Sequence, residues 1–297
     1  MAGNFLLPIK KLTEQLSLKN PLFAHIGIID MNTTSHKTDT EIRKDNLSRF
    51  QDYRPAGNLL ESRIILVTGA GDGIGRCAAI TFAQYGATVI LLGRTLSKLE
   101  QVYDEIEHKG YAKPAIFPMN LESASEHDYQ TMFDSLNNEF GRLDGLLHNA
   151  AELGPQTPIA NYPLEAWQKV LQVNITAPFM ITKTLLPLMQ NSDNASVIFT
   201  GSSVGLMGRA YWGAYSVSKA ACENLVEILC DECDGTKNIR VNSINPGATQ
   251  TRMRASAYPA ENPTTVTEPT AIMNGYLFLM SRDSDNISGQ QFDSQPQ

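Results

Sequence analysis

Ile64-Ile-Leu-Val-Thr-Gly-Ala-Gly-Asp-Gly-Ile-Gly75 is the stretch that decides the fold. Its first residues form a continuous apolar run, the pattern of a parallel strand covered on both faces. Its glycines at 69, 73 and 75 let the backbone turn tightly, and Ile74 to Tyr85 then follows as a helix stopped by Gly86. A glycine-rich turn means little alone. Between a strand and a helix it brings amide N–H groups and a helix N-terminus against one anion, which is what a pyrophosphate needs.

The alternation continues downstream. Thr88 to Leu92 reads as a second strand, Leu96 to His108 as a second helix with Gly110 beyond it, and Ala115 to Phe117 as a third strand. Then come a helix (about Ser125 to Phe140), a strand (Leu143 to Leu147), a long helix (Pro163 to Met189), the Val197 strand, the Tyr215 helix and a strand from Ile239 to Ile244. Strand alternating with helix predicts an α/β fold with a doubly wound parallel sheet, and right-handed crossovers leave few other topologies. Residues 1–58 behave differently. An amphipathic piece (Phe5 to Leu18) and an apolar patch (Phe23 to Ile29) precede a polar run (Asn32 to Asp45) that buries too little to order itself, and Met31 offers an alternative start. The expected organisation is a poorly ordered extension over 1–58 and one domain over 59–297.

A chain of 297 residues that is 42% hydrophobic can bury one large core. Its net charge of −7 argues against nucleic acid or an anionic membrane as partner, and no apolar run approaches a bilayer span. Cys77, Cys222, Cys230 and Cys233 form neither a disulfide framework nor a zinc cluster, so no metal is expected and a reducing cytoplasm suits the chain.

Tyr215-Ser-Val-Ser-Lys219 places a phenol and an ammonium on one helix face, and the positive neighbour favours the phenolate. A tyrosine of ordinary pKa, near 10, is too weakly acidic to act as a base at neutral pH without such help. Taken alone, the pair would more often be a packed ring beside a solvated lysine. Ser202, however, lies thirteen residues earlier, at the end of the Val197 strand, and ligands of open α/β sheets bind at that edge.

The glycine turn and this Ser/Tyr/Lys centre resemble the short-chain dehydrogenase/reductase superfamily in its single-domain Rossmann form, over about residues 60 to 290. The T-G-A-x-D-G-I-G-R opening, the L-L-G-R after the second strand and the W-G-A-Y-x-x-S-K segment are most similar to the YciK-type group of bacterial oxidoreductases. The resemblance implies a catalytic set of Asn174, Ser202, Tyr215 and Lys219, with Ser203 as the runner-up for Ser202. In it Tyr215 gives or takes a hydroxyl proton, Ser202 orients a carbonyl and Lys219 holds the cofactor ribose. Pro178 denies the Asn174 carbonyl its helical partner, so that carbonyl is expected to hold the water that connects Lys219 to solvent.

For the cofactor, the resemblance implies Thr68, Gly69, Gly71, Asp72, Gly73, Ile74 and Gly75 around the pyrophosphate, and Asn120 with Leu121 beside the adenine. Asn149 and Ala150 follow from the His148-Asn-Ala-Ala151 stretch, in which Ala151 replaces a glycine and His148 is expected to be a packed side chain. Pro246, Gly247, Thr249 and Thr251 belong to the segment that receives the nicotinamide carboxamide, and Tyr215 and Lys219 also touch the cofactor. An NAD site carries an acid at the end of the second strand. Gly93 and Arg94 stand there instead, which favours NADP(H) with NAD(H) as the second choice, although Asp72 occupies a position where many NADP-using relatives carry Arg or Lys.

The implied function is an NADP(H)-dependent oxidoreductase that interconverts an alcohol and a ketone or aldehyde. The alternative is a non-catalytic nucleotide-binding regulator on the same scaffold, which the four retained catalytic positions disfavour. A substrate loop is expected at about 252–270. With Leu206, Met207, Tyr211, Trp212 and Tyr258 it gives an apolar or aromatic pocket for a small-molecule substrate. Relatives pair the helices that carry Asn174 and Tyr215, so a homo-oligomer is expected, with Leu225, Ile228 and Leu229 as a further apolar face.

Overall fold

A strand sends alternate side chains to opposite faces, and in the central strands of this protein both sets are apolar. The structure is a computed structural model and describes residues 50–234 and 238–296. Strands β1 (Ile64–Thr68), β2 (Thr88–Gly93), β3 (Ala115–Pro118), β4 (Gly145–His148), β5 (Ala195–Thr200), β6 (Ile239–Asn245) and β7 (Gln291–Asp293) pair in parallel, in the order β3-β2-β1-β4-β5-β6-β7. The helices are α1 (Gly73–Gln84), α2 (Leu96–His108), α3 (Glu126–Glu139), α4 (Leu164–Leu171), α5 (Ala177–Gln190), α6 (Ser203–Leu206), α7 (Gly213–Cys233), α8 (Arg252–Ala257) and α9 (Met273–Met280). Ile65, Val67, Val89, Leu91 and Ile198 enter one core, closed by α1, α2 and α9. Leu66, Ile90, Leu92, Val197 and Phe199 enter the other, under α3, α5 and α7.

Ile65 pairs with Val89 on one side and with Gly145 on the other, so the chain order reverses around β1. The carboxyl ends of β1 and β4 therefore border the crevice in which such sheets bind ligands. Among the described residues, no helix is long and apolar enough to cross a membrane.

Several elements differ from the sequence expectation, each for an identifiable reason. The long helix is interrupted: α4 runs into a wide π-type turn at Gln172–Thr176, where Ala177 N–H donates to the Gln172 carbonyl, before α5 begins. Pro178 has no N–H for the Asn174 carbonyl, so the regular ladder cannot continue there. Helix α9 is buried all round and β7 has three residues, so neither shows a period. The expected loop contains α8, whose first turn is capped by Thr251 Oγ1 accepting from Arg254 N–H at 3.1 Å. Leu225 and Leu229 pack toward the second core, and the exposed apolar residues on α5 and α7 are Phe179, Val217 and Ile228.

Phe50 and Tyr53, in the stretch that the sequence assigns to the extension, pack on the domain. Phe50 is 3% exposed, its ring lies 5.8 Å from Phe278 and 5.6 Å from Phe292, and Asn274 Nδ2 donates to its carbonyl at 3.0 Å. Tyr53 stacks edge-on against Phe278 and donates to Asp283 Oδ2 at 2.6 Å. Residues 1–49, with the polar run and the alternative start at Met31, lie outside the described residues. Truncating a buried phenylalanine removes its transfer energy and leaves a cavity, so Phe50→Ala should lower the stability measured by urea unfolding by about 3 kcal/mol.

Candidate active site

The glycine turn follows β1. Gly69 (φ +70°) and Gly73 (φ +51°) use left-handed backbone, and a Cβ on Gly75 would run into the Gly69 carbonyl. This cradle has no room for side chains, as close approach of a pyrophosphate requires. Thr68, 2% exposed, spends its hydroxyl within the fold. Its Oγ1 accepts from the N–H groups of Asn149 (2.9 Å) and Ala150 (3.0 Å), tying β1 to the chain that leaves β4.

Asp72 caps α1 by accepting from Gly73 N–H at 2.9 Å. The same carboxylate accepts from Lys98 Nζ at 2.8 Å and pairs with the Arg252 guanidinium. One negative charge beside two positive ones leaves the mouth of the turn positive, so an acid at this position does not repel an anionic ligand. Arg94 lies at the end of β2, largely exposed, 3.8 Å from the Glu152 carboxylate beyond β4. Asn120 is exposed and its Oδ1 accepts from Glu122 N–H at 3.2 Å, whereas the Leu121 side chain enters the second core. Of these two, only Asn120 offers a side chain to the cleft edge.

Tyr215 (8% exposed) and Lys219 (4% exposed) lie one turn apart on α7. Lys219 Nζ donates to the Thr200 carbonyl at 2.6 Å and stands 5.7 Å from the centroid of the Tyr215 ring. Ser202 follows β5 with extended backbone and precedes α6, which Ser203 begins. Among the described residues, no partner is found for the hydroxyls of Ser202 and Tyr215.

Asn174 is 2% exposed, and both its amide oxygen and its amide nitrogen are engaged. Oδ1 accepts from Glu152 N–H at 2.7 Å, while Nδ2 donates to the Glu152 carbonyl at 2.9 Å and to Ser218 Oγ at 3.0 Å. Asn174 thereby clamps the segment after β4 to the helix that carries Tyr215. The main-chain carbonyl, expected to hold a water, also accepts from Cys222 Sγ at 3.1 Å. Burial pushes the Cys222 thiol up, so it keeps the proton that this bond requires. A carbonyl has two lone pairs, and the thiol takes one.

Beyond β6, Gly247 turns with φ +69°, and Gln295 Nε2 donates to the carbonyls of Pro246 (2.6 Å) and Ala248 (2.8 Å). Thr249 is 3% exposed and donates to the Pro246 carbonyl at 3.1 Å. Thr251 uses the acceptor side of its hydroxyl to cap α8, which leaves its O–H for a ligand. The roles of Glu152 and Thr200 in holding Asn174 and Lys219 were not readable from the sequence because they act through backbone groups. Ser218, Gln295 and Lys98 look like ordinary polar residues until the fold gathers them.

His148 is packed, as expected. Its ring lies 4.6 Å from Phe199, and Nε2 is 2.8 Å from Thr182 Oγ1. Burial, aided by the Lys219 charge, pushes it down to about 3, so at physiological pH the ring is neutral, with a hydrogen on one nitrogen only.

The profile of the short chain dehydrogenase family matches residues 63–262. The chain is 49% identical over 244 residues to the uncharacterized oxidoreductase YciK of Escherichia coli K12, covering 82% of this chain and 96% of that one. A solved protein of Pseudomonas syringae, assigned as a short chain dehydrogenase, superposes with a TM-score of 0.81 at 51% identity, over 82% of this chain and 99% of its own. Another, from Escherichia coli CFT073 and complexed with NADPH, gives 0.79 at 49% identity, over 82% and 100%.

The state of His148 has a consequence for stability. Its pKa in the folded protein lies below the unfolded value, so below pH 6.5 the unfolded chain binds the extra proton and stability falls with pH, down to about 3. In urea unfolding between pH 6.5 and 5, the protein should lose about 2 kcal/mol more than a His148→Gln variant. Equal losses would show that His148 does not titrate in this way.

Proposed function

The chain belongs to the short-chain dehydrogenase family, and on that premise we propose that it is an NADP(H)-dependent oxidoreductase that interconverts an alcohol and a ketone or aldehyde. The observation that carries this reading is the pair of hydroxyls, Ser202 and Tyr215, that find no partner among the described residues, beside a buried Lys219 at the edge where a glycine cradle opens.

The residues present suit the dinucleotide. The amides around Gly69, Gly71, Gly73, Ile74 and Gly75 and the α1 N-terminus suit the pyrophosphate, with Asn120 for the adenine. Asn149, Ala150, Pro246, Gly247, Thr249 and Thr251 border the nicotinamide end, and Lys219 takes the ribose hydroxyls. Gly93 removes the acid that a 2′-phosphate would meet, and Arg94 supplies a guanidinium able to pair with it. The NADPH complex of the Escherichia coli CFT073 relative supports the same choice. When bound, the cofactor supplies or takes the hydride.

In reduction, the Tyr215 O–H gives its proton to the carbonyl oxygen, and the Ser202 O–H donates to the same oxygen as charge develops on it. The Lys219 ammonium stabilises the phenolate left behind, and in oxidation the proton moves the other way. Asn174 touches none of the reacting atoms. It keeps α7 and the chain after β4 in place through Glu152 and Ser218. A second copy of the chain would pack over Phe179, Val217 and Ile228, which are exposed on α5 and α7.

Two measurements test the reading. Tyr215→Phe should keep NADPH binding, followed by nicotinamide fluorescence, and lose about 10²- to 10⁴-fold in turnover of any carbonyl that the protein reduces. Comparable turnover would remove Tyr215 from the mechanism, and a protein that binds NADPH but oxidises it with no carbonyl would favour a non-catalytic role. Arg94→Ala should weaken NADPH about tenfold and leave NADH nearly unchanged. Gly93→Asp combined with Arg94→Ile should reverse the preference, and tighter binding of NADH than NADPH by the unaltered protein would defeat it.

A further inference from the structure

We propose that Trp212 and Tyr258 form the wall against which the substrate lies, and that the substrate class is a carbonyl compound, or its alcohol, whose reacting carbon belongs to or directly adjoins an apolar ring system with a flat face. The inference rests on the oxidoreductase reading, because it takes the Tyr215 hydroxyl as the point that the carbonyl oxygen must reach.

Three aromatic rings stand in a row at this point. Trp212 immediately precedes α7 and its ring centroid lies 5.7 Å from that of Tyr215, inclined by 51°. Tyr258 closes α8, and its ring lies 5.9 Å from Trp212 at 46°. Both Trp212 and Tyr258 are half-buried, so each keeps an accessible part. The row therefore joins the catalytic helix to the loop expected to cover the substrate. An oxygen that reaches Tyr215 brings the atoms next to its carbon close to Trp212.

The row is braced from behind. The Arg254 guanidinium stacks on the Tyr258 ring at 3.8 Å and is itself gripped by Glu261, through Nε at 2.7 Å and Nη2 at 2.6 Å. Pairing with Glu261 already satisfies the Arg254 charge, so its role here is support and not capture of an anionic substrate. The α8 N-terminus is held by the Thr251 cap and by the Arg252 ion pair with Asp72. Tyr258 is consequently a fixed side chain and not a loose loop residue.

The backbone around Trp212 is left-handed on both sides of the indole. Tyr211 is held at φ +73° and Gly213 at φ +32°. A Cβ on Gly213 would run into the Tyr162 ring. Left-handed backbone at a non-glycine residue costs free energy and persists only where its surroundings enforce it, commonly at a functional site. Here it flanks the indole that immediately precedes the helix of Tyr215. Leu206 and Met207, exposed on the same segment between β5 and α7, extend the apolar character.

Ring shape follows from the geometry. Two tilted aromatic rings whose centroids lie less than 6 Å apart make a continuous aromatic surface, and such a surface rewards a flat ligand that can stack on it or meet it edge-on. A flexible acyclic chain gains less from such contacts and loses rotamer freedom on binding.

The test compares 2-tetralone with 2-decanone, ketones of equal carbon number, using NADPH and the full chain. The expected result is a kcat/KM for 2-tetralone about tenfold or more above that for 2-decanone. Trp212→Leu should remove most of this advantage, raising KM for 2-tetralone several-fold more than KM for 2-decanone, while NADPH binding is retained. The chain has two tryptophans, so in Trp167→Phe protein the emission reports Trp212 alone, and 2-tetralone should quench it saturably near its KM.

A preference for 2-decanone, an equal effect of Trp212→Leu on both ketones, or the absence of saturable quenching would overturn the inference. Any of these, accompanied by turnover, would leave the oxidoreductase reading standing. If neither ketone is reduced, nor any other carbonyl, while NADPH still binds, both fall together.

Discussion

Lys219 donates from Nζ to the Thr200 carbonyl at 2.6 Å, in a place with almost no solvent exposure. Burying an ammonium is costly unless acceptors are waiting, so this bond does more than decorate the site. It fastens α7 to the last residue of β5, two residues before Ser202. The spacing between the helix that carries the proton donor and the strand end that carries the second hydroxyl is therefore set by a charged bond. A lysine in the same sequence position but turned to solvent would leave that spacing undefined.

The rest of the centre is arranged by polar groups that do no chemistry themselves. Asn174 holds both backbone groups of Glu152 and also Ser218, and Ser218 Oγ donates to the Tyr215 carbonyl at 2.8 Å. Asn174 can do this because the chain widens from Gln172 to Thr176, where proline interrupts the ladder. The carbonyl freed by that interruption is met by the Cys222 thiol from α7. Helix irregularity, buried amide and buried thiol thus form one unit, with each element answering a polar group that the previous one leaves open.

The sheet was legible in the sequence because its strands are covered on both faces and read as unbroken apolar runs, with Ile64 to Val67 as the clearest case. Tyr215, Lys219 and the glycine turn were legible because their chemistry needs particular side chains at fixed spacing. The partners of Asn174 and Lys219 were not, since Glu152 and Thr200 contribute backbone atoms whose role depends on the fold alone. Helix α9 escaped because its residues are nearly all apolar and buried, so they carry no amphipathic period. Asp72 looked adverse to an anionic cofactor when read singly. Only the fold brings Lys98 and Arg252 to it.

The two ends of the sheet raise the problem that any open sheet faces, since an outer strand leaves main-chain groups free to pair with another molecule. At one end β3 is short, follows Pro114 and finishes at Pro118, which has no N–H to donate. At the other end β7 has three residues, and the Phe50 ring packs on Phe292 from that strand. Phe50 and Tyr53 lie outside the stretch that matches the family profile, yet they shield Phe278 and Phe292. A chain shortened at its N-terminal side to begin at β1 would bare this aromatic surface beside an outer strand, so resistance to aggregation in this protein depends on residues that precede the domain's first strand.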